Sequence, residues 1–380
     1  MKNILFVLGT RPEAIKLAPV ILEFRKFPDR YNVIVCNTEQ QKELSNQTLD
    51  FFGLDADIRL DVMQPNQSLA GVQSRILDKL SAVYAAREIH ATVVQGDTMT
   101  VLCGSLVSFY NRVPVLHVEA GLRSYDLNEP FPEEAIRQMA ARIVETHFAP
   151  TEAAKAALMK ENIREDRIHV TGNTVIDAMR CLREDVIQTA MGRLIDKGIH
   201  LSDRLVLITA HRRENHGRRL DEILSAVKEL SASYPDHQFV LPVHPNPNVR
   251  ESVHRELGDI GNVVLTAPMD YPELVGLMSH AKLILTDSGG IQEEAPSFGV
   301  PVLVMRFETE RKEGLEAGYA KLVGSDKKLI LQEAAAVLTQ DRALTRLDGS
   351  LNPYGDGNAS ERIRLIMESA PGWEGGAMRQ

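Results

Sequence analysis

Cysteine is scarce in this 380-residue chain: Cys36, Cys103 and Cys181, odd in number and far apart. No CxxC pair and no Cys/His metal spacing accompanies them, so a disulfide scaffold and a thiolate metal centre drop out. Free thiols in a reducing compartment, the cytoplasm, are the expectation, with no metal. Long hydrophobic runs are also missing. The first apolar run, Ile4 to Leu8, is cut short by Gly9-Thr10-Arg11-Pro12 without a small-residue cleavage site, which reads as a first strand and not a signal peptide. Nothing approaches the roughly 18 apolar residues of a membrane span, so no membrane partner is expected. Positive charge is in deficit, with 43 Lys and Arg against 52 Asp and Glu and a formal net charge of −9. That balance argues against non-specific nucleic-acid binding, because nothing neutralises a run of phosphates. One small anion is still accessible, since it needs only a local cluster of Arg, Lys and N–H groups.

What is present is an ordinary globular composition, 44% hydrophobic and 25% charged. The chain is long enough for two domains, because single cores stop growing near about 250–300 residues. Short β-branched runs alternate with longer amphipathic stretches, the pattern of βα units around parallel sheets. In the first half, 4–8, 33–37, 92–95, 115–118 and 147–149 read as strands, and 12–27, 69–87, 100–111 and 133–144 as helices. In the second half, 205–209, 239–242, 263–265, 283–286 and 302–304 read as strands, with helices near 220–233, 272–279, 291–298 and 328–339. The expected fold class is α/β, with two doubly wound parallel-sheet domains, 1–170 and 171–357, facing each other across a cleft at the C-terminal ends of their strands. The Gly-rich tail 371–380 is expected to fray.

The residues at those strand ends carry the chemistry. Thr286-Asp287-Ser288-Gly289-Gly290 follows a strand and opens a helix expected to run through Phe298. Its small residues admit a ligand to the backbone, and exposed N–H groups favour an anion; a Ser cap with packing glycines is the plain alternative. Glu294, one turn on, is within reach of ribose hydroxyls. Gly9 to Lys16 follows the first strand, and Arg11 and Lys16 fall where a helix dipole disfavours cations, which suits them to an anionic ligand. Solvated charge is the commoner fate of such residues. Three carboxylates stand after strands or at a helix start: Asp97, Glu119 and Glu133. Singly, each has a structural account: a helix cap for Asp97, a pair with Arg123 for Glu119, a favourable helix dipole for Glu133. Together in one cleft they suit general acid–base work. His211, Arg212 and His244 follow strands of the second half, as do Arg306 and Arg311; His216 and His254 read as surface.

These segments resemble the non-hydrolysing UDP-N-acetylglucosamine 2-epimerases. GTRPEAIK (9–16), HVEAGLRS (117–124), PEE (132–134), GNTVIDA (172–178), HRREN (211–215), TDSGGIQEEAPS (286–297) and NPYGDG (352–357) follow the family's order and approximate spacing. The resemblance implies the GT-B fold, with a last helix at about 358–368 returning to complete the first domain, and a homodimer. It implies reversible conversion of UDP-N-acetylglucosamine to UDP-N-acetylmannosamine without cofactor, by anti elimination of UDP to a 2-acetamidoglucal and syn re-addition. By family motif Asp97, Glu119 and Glu133 form the acid–base set and His211 assists at the diphosphate. Arg11, Lys16, Arg212, Ser288, Gly289, Gly290, Glu294 and Arg311 hold the UDP-sugar, and Gln40 and His244 fit a regulatory site. Departures from the family pattern include Gln41 for His in TxQH, Ile136 for Asn in PEExNR, and Phe307 for Asp in RDTTERPE. They are expected in loops facing the sugar or the regulatory site. A hydrolysing relative that releases N-acetylmannosamine and a GT-B glycosyltransferase are the rival readings.

Overall fold

The computed structural model of the protein describes residues 1–65, 67–212, 215–341 and 347–369. The tail at 371–380 and two residues of HRREN, Arg213 and Glu214, lie outside them. The chain divides into two compact units, Met1–Cys181 with Tyr354–Gln380, and Leu182–Pro353. The division falls after Cys181 and not at residue 170, because the helix Thr174–Cys181 packs on Arg11–Arg25 of the first unit.

The first unit is built on a seven-stranded parallel sheet. Its strands are β1 (Lys2–Leu8), β2 (Tyr31–Asn37), β3 (Ile58–Arg59), β4 (Ala91–Gln95), β5 (Val115–Val118), β6 (Thr146–Ala149) and β7 (Ile168–Val170), in the order β3-β2-β1-β4-β5-β6-β7. Winding reverses between β1 and β4, which makes their C-terminal ends a topological switch point. Residues Ile4–Leu8 are buried on both faces, as a central parallel strand requires. The helix Leu69–Ala86 starts at Ser68, whose hydroxyl accepts the Gly71 N–H. It buries Val72, Ile76, Leu80 and Val83, a single face at helical spacing. Fully buried side chains of this kind contribute about 1.5–3 kcal/mol each.

The chain returns to this unit through two motifs that pack on one another. The Asn173 N–H donates to the Tyr354 carbonyl at 2.7 Å, and the Asp177 carboxylate accepts the Ala359 and Ser360 N–H groups, capping the last helix, Ala359–Ser369. That helix grips Arg11–Arg25 through the buried Arg364–Glu23 pair at 2.7 Å, while Glu368 accepts the Tyr31 hydroxyl.

The second unit has six parallel strands: β8 (Leu205–Thr209), β9 (Gln238–Pro242), β10 (Val263–Thr266), β11 (Ala281–Thr286), β12 (Val302–Val304) and β13 (Ala320–Leu322). Their order, β10-β9-β8-β11-β12-β13, places the switch point between β8 and β11. His211 follows one of these strands and Asp287 the other.

Candidate active site

At the switch point of the first unit, the turn after β1 is held from three sides. A Cβ on Gly9 would lie 2.0 Å from Thr38 Oγ1, so only glycine lets the β2 loop approach. Gln41 donates its N–H to the Gly9 carbonyl at 2.7 Å and accepts the Arg11 N–H on Oε1 at 3.0 Å. Gln40 accepts the Thr100 hydroxyl at 3.1 Å. Glu13, 1% exposed, accepts N–H groups of Gly9 and Thr10 and the Thr98 hydroxyl, at 2.9, 2.7 and 2.6 Å. Burial pushes its carboxyl up to about 7, against the pull of these hydrogen bonds.

Two of the three expected carboxylates sit at adjacent strand ends. Asp97 follows β4 and Glu119 follows β5. Asp97 accepts Arg137 Nε at 2.8 Å and Nη2 at 2.7 Å on one oxygen. Arg137 in turn reaches Glu134, a fully buried carboxylate that also accepts the Ser124 and Tyr125 N–H groups and the Gln138 amide. Glu119 pairs with Lys16 at 2.5 Å, both side chains buried, and takes the Gln95 amide on its other oxygen. Its backbone has φ +63, a left-handed conformation rare for a residue with a side chain. Glu133 is half-buried at the first turn of the helix Glu133–Ala141.

Two structural alternatives for these carboxylates fail. The helix after β4 is capped by Thr98, which accepts the Val101 N–H, and not by Asp97. Arg123 pairs with Glu161 at 2.6 Å and not with Glu119. Lys16 lies beyond the first turn of its helix, so the dipole argument does not reach it; its charge is met by Glu119. Arg11, half-buried, does begin that helix.

In the second unit, Asp287 is completely buried and gathers the β8 and β11 ends. It accepts the N–H groups of His211 and Arg212, each at 2.9 Å, and the Asn215 amide at 3.0 Å. His211 Nδ1 stands 2.9 Å from Asp287 Oδ1, which orients the ring. These contacts hold the Asp287 carboxyl below the usual carboxylate range in spite of its burial. The His244 ring stacks on His211 at 6.2 Å, and burial, helped by His211 and His216, depresses its basicity. His216 is half-buried where surface exposure is expected.

The TDSGG helix is shorter than expected. It spans Gly289–Glu294, and the chain tightens at Ala295–Phe298 into a 3-10 turn containing Pro296. Six residues make a weak dipole, so capacity for an anion rests on local groups instead. Arg311 provides one. Its guanidinium is held by Glu293 at 2.9 Å and Glu310 at 3.1 Å and lies so close over Gly289 that a Cβ there would be 2.8 Å from Cζ. Ser288 donates its N–H to Thr286 Oγ1 at 2.9 Å, Gly290 follows in the first turn, and Glu294 is buried in the same helix.

A sequence model of the UDP-N-acetylglucosamine 2-epimerases matches residues 24–368. The UDP-N-acetylglucosamine 2-epimerase of Escherichia coli is 45% identical over 369 residues, covering 95% of this chain and 97% of that protein. The chain belongs to the UDP-N-acetylglucosamine 2-epimerase family. The crystal structure of the Neisseria meningitidis UDP-GlcNAc 2-epimerase bound to UDP-GlcNAc superposes with a TM-score of 0.90 at 43% identity, over 97% of this chain and 100% of that one. The Methanocaldococcus jannaschii UDP-GlcNAc 2-epimerase, in complex with UDP-GlcNAc and UDP, gives 0.81 at 32% identity, over 97% and 100%. The two doubly wound sheets are those of the GT-B fold.

One departure from the family pattern is not in a site loop. Ile136 is 2% exposed on the core face of Glu133–Ala141, among the apolar residues of the first unit, where a β-branched side chain packs. Gln41 braces the Gly9–Arg11 turn. Phe307 is 59% exposed, with the Arg219 guanidinium 4.9 Å above its ring. Glu13, Gln95, Glu134 and Arg137 are not among the site residues read from the sequence, although Glu13 and Glu134 lie within quoted motifs and Arg137 ends the PEExNR run. Gln95 and Arg137 act on Glu119 and Asp97, 24 and 40 residues away, while Glu13 and Glu134 read locally as first-turn helix carboxylates.

Proposed function

We propose that this protein interconverts UDP-N-acetylglucosamine and UDP-N-acetylmannosamine without releasing the free sugar. The reading is carried by its full-length likeness to the Neisseria meningitidis epimerase solved with UDP-GlcNAc. Departure of UDP develops positive charge at C1 and acidifies the C2 hydrogen. A carboxylate on one face removes that proton, giving UDP and a 2-acetamidoglucal. Re-addition of UDP with proton return from the other face yields the epimer. Asp97, Glu119 and Glu133 form the acid–base set. The Lys16 ammonium offsets the cost of burying Glu119, and Arg137 orients Asp97.

In the second unit Ser288, Gly289, Gly290 and Arg311 hold the diphosphate, with Arg212 and the Asp287-oriented His211 supporting it as it leaves. Glu294 takes the ribose, and Arg11 carries charge at the turn after β1 of the first unit. Among the described residues no helix is long and apolar enough to cross a membrane. We assign the protein to the cytoplasm as a homodimer. The first unit comprises 1–181 with the returning helix, and the second 182–353.

Incubation of pure protein with UDP-N-acetylglucosamine in deuterated water, followed by proton NMR, tests the reading. Deuterium at C2 and UDP-N-acetylmannosamine are expected. Free N-acetylmannosamine as main product assigns a hydrolase instead, and sugar transfer to an acceptor without C2 exchange assigns a glycosyltransferase.

A further inference from the structure

Asp97 and Glu119 stand on neighbouring strands, and both depend on unusual backbone just before or at the carboxylate. Gly96 has φ +81 and Glu119 φ +63. At Glu119 such a conformation persists only when its surroundings over-determine it, whereas Gly96 adopts it freely and needs neighbours to fix it. At Gly96 the restraint is visible atom by atom. Its N–H donates to the Val118 carbonyl at 3.1 Å, and its carbonyl meets Nε2 of His117 at 2.7 Å.

A carbonyl only accepts, so the imidazole carries its proton on Nε2. Burial pushes His117 down to about 4, so the ring is neutral and keeps this donor across the physiological range. The other direction is braced as well, because the Gln95 amide reaches from β4 to the Glu119 carboxylate. Side chains on β4 and β5 thus reach across to one another's strand ends, His117 to the turn that carries Asp97 and Gln95 to the Glu119 carboxylate itself. His117 itself is 2% exposed, in the layer beneath the turns. His147, its register neighbour on β6, is also buried, and burial pushes it down to about 3, so the second ring is neutral too.

We propose that His117 is a positioning residue for the epimerisation, which fixes the placement of Asp97 relative to Glu119 through the Gly96 carbonyl and never touches the sugar. The proposal rests on the epimerase reading above. A misplacement of about 1 Å at reacting groups costs about 100-fold in rate.

The test compares the full-length parent with His117→Leu, which fills the volume without a donor, and His117→Gln, whose amide N–H has similar reach. Turnover of UDP-N-acetylglucosamine, C2 deuterium exchange and UDP binding are measured for each. The Leu variant is expected to lose about 100-fold in kcat, with KM and UDP affinity within about twofold. The Gln variant is expected to recover to within about fivefold of the parent, with the parent's pH–rate profile. Should Leu not fold, His117→Asn, polar but too short to reach, replaces it with the same expectation. Equal loss in the Gln and Leu variants, or full activity in Leu, overturns the proposal. Loss of the acid limb of the pH profile in Gln also overturns it, because the imidazole would then be titrating in the reaction. A parent that exchanges no C2 hydrogen overturns the epimerase reading itself, and the proposal with it.

Discussion

Replacing Glu13 by Gln should stabilise the protein at neutral pH and not at pH 4.5. The Glu13 carboxyl is fully buried among three hydrogen-bond donors, and burial raises it from the ordinary 4.5 to about 7. Below pH 4.5 it is protonated in both folded and unfolded chains and contributes no pH dependence. Between 4.5 and about 7 the unfolded chain gives up the proton while the folded chain keeps it, so stability falls as pH rises. Above about 7 both forms are ionised and the loss is complete. At about 1.4 kcal/mol per pH unit over that interval, the accumulated loss is roughly 3 kcal/mol. A Gln in the same place does not titrate. Its carbonyl accepts the Gly9 and Thr10 N–H groups, and its amide donates to the Thr98 hydroxyl. Urea unfolding of parent and variant at matched pH values from 4.5 to 8 measures the difference directly. The advantage of Gln should grow by about 3 kcal/mol up to pH 7 and then stay level. A difference that is constant with pH, or that shrinks as pH rises, refutes the reasoning.

Asp97→Asn or Glu119→Gln should lower turnover by about 10³-fold and leave UDP affinity within about threefold. C2 deuterium exchange at the parent rate in either variant removes that residue from the acid–base set. Gly289→Ala offers a helix propensity gain of about 1 kcal/mol, yet its methyl collides with the Arg311 guanidinium. UDP affinity by calorimetry should fall about tenfold, and an unchanged affinity would show that Arg311 does not serve the diphosphate. Asp287→Asn leaves at least two of four donors unmatched and should cost about 2–4 kcal/mol, read as a lower thermal midpoint. Because the Asp287 carboxyl is depressed, its stabilisation is present above the ordinary carboxylate range and is lost as pH falls. The variant's deficit should therefore shrink in acid, and a deficit that grows there contradicts the assignment.

The strand ends were readable because parallel sheets put their variable chemistry there. A glycine, a carboxylate or a histidine just after a β-branched run is a local signal. Asp97, Glu119, His211 and the TDSGG turn were found that way. What holds them was not readable. Lys16 meets Glu119 across 103 residues of sequence, and Arg137 meets Asp97 across 40. No period or propensity encodes such pairings, which depend on the order of strands in the sheet. The short strands β3, β7 and β13, of two or three residues each, are absent from the strands read in the sequence for a related reason. So brief a run carries no alternation, and its neighbours in the sheet decide its conformation.

The seven motif runs do not all serve chemistry, and their contacts sort them. GNTVIDA and the Tyr354–Gly357 part of NPYGDG meet within the first unit, where a Cβ on Gly355 would lie 3.2 Å from the Asn173 nitrogen, and Asp177 caps the returning helix. The glycines and short polar side chains at this crossing follow from two chain segments passing at backbone contact, with no substrate needed to explain them. GTRPEAIK is mixed. Gly9 and Glu13 build the turn, while Arg11 and Lys16 carry charge to it. In TDSGG the same division runs through adjacent residues: Asp287 is spent on organising the β8 and β11 ends, and Gly289 on making room for Arg311. The anion-binding capacity read from a strand, two glycines and a helix therefore belongs to an arginine 22 residues away as much as to the helix. A motif of this kind specifies a space, and the residue that fills the space decides what it binds.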